Sequence, residues 1–168
     1  MPSVDYVLIS SPFSQVMIDD GQGLSHSDEV HPFDDTARSA FARTLDRLKA
    51  AGKTPIVVAP TPRAPFDAGR CNERIMEGKP IFGQAECDIP VATARFEGQG
   101  VVSLIERIGE RTDVTVLAPR DVLCDDKMCA TEKDGDILYV DNGHMTREGA
   151  RYVIDRLGLR ERLRASAD

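Results

Sequence analysis

Four residues near the C-terminus, Asp141-Asn142-Gly143-His144, carry the sharpest chemical signal in the chain. A carboxylate and an imidazole three residues apart in a turn can meet side chain to side chain. The carboxylate then accepts the Nδ1 proton, fixes the tautomer and leaves Nε2 free as a base. Gly143 permits the tight turn, and Thr146 can cap a following helix and hold the turn against it. The same residues also suit an ordinary surface turn, since Asp and Asn are turn formers. A base needs a nucleophile, and Ser10, Ser11 and Ser14 are the candidates. Ser10-Ser11 ends a hydrophobic strand, and open α/β sheets place their chemistry at the carboxyl ends of strands. The plainer reading makes them strand-end and turn residues, Ser11 preceding Pro12.

Cys71, Cys87, Cys124 and Cys129 fall into two locally spaced pairs. Four cysteines allow three connectivities, and sequence alone does not choose among them. Zinc prefers spacings such as C-x2-C with histidines close by. Neither pair has that spacing, and His26, His31 and His144 lie in unrelated segments, so no metal is expected. Two disulfides, which require an oxidising compartment, stand against free buried thiols. Arg63 follows a Pro60-Thr61-Pro62 turn at a strand's end and could meet an anionic glycan or acyl carrier. His26 and His31 read as solvated loop residues. Asp121, Asp125 and Asp126 lack the calcium-loop spacing and a distal Glu, so they read as loop charges.

The elements that must position these groups alternate. Val4 to Ser10 reads as a buried strand. A polar loop over residues 19–34 precedes a helix that Asp35 or Thr36 can cap; it carries Ala37, Phe41, Leu45 and Leu48 and stops at Gly52. Pro55 to Pro60 is a second strand, and Thr61 to about Pro90 a long irregular stretch. A loop of that length is functional or anchored, and a Cys71–Cys87 bridge would anchor it. Val101, Leu104, Ile105 and Ile108 mark a helix leading into a third strand, Val114 to Ala118. Met128 to Val140 resembles a hairpin turning at Asp134-Gly135. The last helix starts near Thr146. Helices alternating with short hydrophobic strands are the α/β signature of a mainly parallel sheet.

Composition narrows the function. The 168 residues are 41% hydrophobic and 29% charged, enough for one core. With 21 Lys plus Arg against 28 Asp plus Glu, the net charge of −7 argues against nucleic-acid binding. No apolar run approaches the roughly 20 residues needed to span a bilayer. Met1-Pro2-Ser3-Val4-Asp5 does not read as a signal peptide.

The run Leu123-Cys124…Cys129…Leu138-Tyr139…Asp141…His144-Met145-Thr146…Gly149-Ala150 resembles the C-terminal block of SGNH hydrolases. It is most similar to SGNH domains fused to type-3 membrane acyltransferases. Upstream, Val4 to Ser10 looks like that family's third strand, and Thr44-Leu45…Leu48…Gly52 to Val58 like its next helix and strand. The resemblance implies a flavodoxin-like three-layer α/β/α sandwich. It also implies ester hydrolysis or, more specifically, O-acylation (acetylation) of a cell-surface glycan through an acyl-serine. Asp141 would orient His144, His144 would be the base, and Gln15, Ser10 or Ser11 would take the oxyanion-donor position. No cofactor is implied. The implied partners are a membrane acyltransferase domain of the same polypeptide and a glycan acceptor, in the periplasm. The family's nucleophile stands in a Gly-Asp-Ser block that these residues lack. Residues 1–168 therefore read as one domain, the C-terminal two-thirds of a full one. The alternative from another class is a non-catalytic module that keeps the fold and only binds.

Overall fold

The computed structural model describes residues 4–10, 13, 32–81, 83 and 86–165. They form two compact units, each built from separated stretches of chain.

The first unit, residues 1–60 and 99–117, holds a parallel sheet. Its strands are β1 (Tyr6–Ser10), β2 (Thr54–Val58) and β4 (Thr115–Leu117), in the order β1-β2-β4. β2 is central, and the side chains of its Ile56 and Val57 are buried. β1 pairs with β2 from Tyr6↔Thr54 to Ser10↔Val58. The sequence suggests that β1 is buried, but Leu8 is 46% exposed. The reason is position: among the described residues β1 is an edge strand, bonded on one side only. Helix α1 (Pro32–Ala50) packs on β2, starting before the expected cap because Pro suits a first helical turn. Gly52, at φ +71°, stops it. Lys49 Nζ donates to the Thr112 carbonyl at 2.7 Å, tying the end of α1 to that of α3 (Val91–Thr112).

The second unit, residues 61–98 and 118–168, carries Asp141 and His144. The stretch read as irregular contains helix α2 (Ala68–Met76). Asp67 caps it, accepting from the Arg70 amide at 2.9 Å. Nine residues between Pro- and Gly-rich flanks are too few for a periodic pattern to stand out. Two short strands, β3 (Ile89–Pro90) and β5 (Met128–Cys129), pair antiparallel. Only β6 (Glu132–Lys133) and β7 (Asp136–Ile137) form the expected hairpin, so Met128 pairs elsewhere than across it. Asp134 and Gly135 turn this hairpin at φ +53° and +92°, the doubly positive pattern of a type I′ turn. Helices α4 (Arg120–Leu123), α5 (Arg147–Arg156) and α6 (Leu159–Ala165) complete the unit.

Its core gathers Ala68, Ile89, Leu123, Cys129, Leu138, Tyr139 and Val153, with Phe66 and Met145 packed against it. Two bridges close on it, Cys71–Cys87 and Cys124–Cys129. The first joins α2 to the stretch before β3 across 16 residues, a loop for which chain entropy predicts about 3 kcal/mol. Buried Thr131 is satisfied on both sides: Asn72 Nδ2 donates to its Oγ1 at 2.8 Å, and the Oγ1 donates to the Cys87 carbonyl at 2.9 Å. No helix among the described residues is long and apolar enough to cross a membrane.

Candidate functional site

The site is a short loop between two anchors. Upstream, Leu138 and Tyr139 are fully buried in the core. The Tyr139 hydroxyl donates to the Pro62 carbonyl at 3.0 Å, and burial pushes its pKa far up, so it stays a donor. Downstream, Thr146 caps α5, its Oγ1 accepting from the Gly149 amide at 2.9 Å. The same Oγ1 donates to the Ile137 carbonyl at 2.6 Å. Thr146→Ala is therefore expected to cost about 1–2 kcal/mol. Thr146→Ser should recover most of it, as read by the denaturant midpoint.

Between the anchors the chain turns back on itself. Tyr139 bridges Met145, and the Val140 amide donates to the His144 carbonyl at 2.8 Å. Inside that closed turn, Asp141 Oδ1 accepts from the Gly143 and His144 amides, each at 2.8 Å. Its Oδ2 meets His144 Nδ1 at 2.7 Å. One carboxylate oxygen is thus fixed by the backbone and the other is directed at the ring. The His144 amide first, then the Gly143 amide and the imidazole, hold the Asp141 carboxyl far below the usual carboxylate range. The His144 side chain is 78% exposed, so Nε2 is open to an incoming group. The arrangement can orient an imidazole and use Nε2 as a general base.

A second segment supports the loop, with little sign of it in the sequence beyond the Pro60-Thr61-Pro62 turn. Thr61 Oγ1 donates to the Gly143 carbonyl at 2.8 Å, and the Ala64 amide to the Asn142 carbonyl at 2.8 Å. Arg63 Nη2 donates to Asn142 Oδ1 at 3.2 Å. Long-range bonds of this kind leave no periodic trace in a sequence.

The remaining candidates fall as follows. Ser10 ends β1, exposed, in the first unit, while Asp141 and His144 lie in the second. Ser11, Ser14, Gln15, His26 and His31 lie outside the described residues. The four cysteines form the two local bridges. Asp125 closes an Asx turn, accepting from the Lys127 and Met128 amides, and those bonds lower its pKa.

The family described as "SGNH domain (fused to AT3 domains)" matches residues 1–158. No curated protein matches the sequence. Among solved structures, the periplasmic domain of a lipopolysaccharide acetyltransferase from Salmonella ser. Paratyphi A superposes with a TM-score of 0.59 at 18% identity. That match covers 93% of this chain and 56% of the Salmonella one, so the chain spans little more than half the length of that neighbour. At this identity the likeness concerns the fold, a mixed α/β architecture around a parallel sheet. The match over residues 1–158 settles the family: the chain belongs to the SGNH domains fused to AT3 domains.

Proposed function

We propose that this domain transfers an acyl group, most simply acetyl, to a hydroxyl of a cell-surface glycan through an acyl-serine. The observation that carries the reading is the 2.7 Å contact between Asp141 and His144, made from a carboxylate already fixed by two backbone amides. His144 Nε2 takes the proton of a serine hydroxyl as its oxygen attacks the carbonyl carbon of the acyl donor. The tetrahedral intermediate collapses, and the imidazolium returns the proton to the leaving group. An acceptor hydroxyl, deprotonated by the same nitrogen, then attacks the acyl-serine and regenerates the serine. Water in the acceptor's place gives hydrolysis.

Family membership supports an AT3 membrane acyltransferase domain on the same polypeptide as the source of the acyl group. The two bridges support an extracytoplasmic, periplasmic setting. The Salmonella neighbour, itself a periplasmic acetyltransferase domain, supports acetyl as the group. The serine is the open element of the site: no Gly-Asp-Ser occurs in the 168 residues.

Labelling with a fluorophosphonate serine probe, read by intact mass, tests the reading on this chain and on the chain joined to its AT3 domain. One adduct that disappears in His144→Ala is expected in at least one of the two forms, and peptide mapping then names the serine. An adduct in the joined form alone places the serine outside these residues. No adduct in either folded form would make this a module that binds without catalysing.

A further inference from the structure

Arg63 stands out among the charged groups of the second unit. Its stem and guanidinium lie along Gly143: a Cβ built there would stand 3.3 Å from Arg63 Cγ and Nε and 3.5 Å from Cζ. Its Nη2 is tethered to Asn142 Oδ1 at 3.2 Å. The side chain is nevertheless exposed, and among the described residues no carboxylate pairs with it. Among the described residues the rest of its donor fork is unengaged. An exposed arginine on a protein of net charge −7 has acids in excess to pair with. This one is held in place by an amide oxygen and a glycine, beside the Asp141–His144 pair.

A guanidinium fixed in one orientation loses little freedom on binding, and its planar fork matches a carboxylate or phosphate in a way that a lysine does not. We propose that Arg63 is an oxyanion-recognition residue at the mouth of the site, so that the substrate carries a carboxylate or phosphate close to the hydroxyl or ester that reacts. Gly143 and Asn142 then have a second use: they hold the fork as well as the loop. The proposal rests on the acyl-transfer reading for its place in the reaction, though not for the binding itself.

The test is an NMR titration of the isotope-labelled chain with glucuronic acid, glucose 6-phosphate and, as the neutral control, glucose. The reporters are the Arg63 Nε–H signal and the His144 ring. Saturable shifts with one or both anions and none with glucose are the expected result; which anion acts separates carboxylate from phosphate recognition. Arg63→Gln should weaken anion binding, read at His144, by about tenfold or more, and Arg63→Lys by less. Asn142→Ala, which cuts the tether and keeps the charge, should weaken binding by less than Arg63→Gln does, and so separates the charge from its fixed orientation. Equal shifts with glucose, no shift with either anion, or undiminished binding in Arg63→Gln would overturn the proposal. The serine-probe experiment fails or succeeds independently: shifts without an adduct remove the reaction and leave the anion site, while an adduct without shifts removes the anion site alone.

Discussion

Replacing Asp141 by asparagine is expected to lower acyl transfer by about 10⁴-fold while the fold survives. The substitution is nearly isosteric, and the asparagine Oδ1 can still accept from the Gly143 and His144 amides that hold the loop. What changes is the other half of the group. Where the carboxylate Oδ2 takes the His144 Nδ1 proton at 2.7 Å, an amide nitrogen would donate to Nδ1 instead. The imidazole is then held in the wrong tautomer, with its proton on Nε2, and cannot act as the base. Turnover of the active protein beside its thermal midpoint checks this. A loss below tenfold would make the pair structural.

Stability carries a second signature of the same carboxylate. Its folded pKa lies far below the ordinary value of about 4, so its stabilising contribution is complete above that pH. The contribution is lost as pH falls from there toward the folded pKa. The wild type should therefore lose stability relative to Asp141→Asn as the pH falls below about 4.

The second large effect is expected at Gly149 and Gly69. A Cβ on Gly149 would overlap the Leu138 carbonyl oxygen and stand 2.8 Å from its carbon. One on Gly69 would stand 2.6 Å from the Tyr139 carbonyl oxygen and from the Val140 carbon. Every obstacle is backbone, and it is the backbone that leads into the loop, so α5 and α2 approach this segment only because both residues lack a side chain. Alanine at either position is expected to cost about 3 kcal/mol, a fall in Tm of about 10 °C. Gly143→Ala is the contrast. Its new methyl would stand 3.3 Å from the exposed Arg63 side chain and not against backbone, so the loss should stay below about 1 kcal/mol. Equal costs at all three positions would show that close backbone approach is not the cause.

Much of the frame was legible in the sequence. Tyr6–Ser10, Thr54–Val58 and Thr115–Leu117 are short β-branched runs between helical patterns, and they form the parallel sheet. The Asp141–His144 contact was legible because both partners lie within one turn, where spacing decides geometry. Thr146 announced its cap in the same way. Helix α2 was hidden by its short length and Pro-rich approach, and the pairing of Met128 with Pro90 by the distance between them in the chain. The bonds from Thr61, Arg63 and Ala64 to residues 142 and 143 were hidden for the latter reason, since polar contacts across some eighty residues obey no local rule.

Both bridges, finally, join cysteines that are neighbours in sequence and lie in the unit that carries Asp141 and His144. The other two pairings of the same four residues would each close loops several times longer than the Cys124–Cys129 one. Ring closure grows less probable with ring size. The pairing that chance encounter favours in the nascent chain is therefore the one the finished protein uses. Oxidation that runs ahead of folding is biased here toward the native pairing.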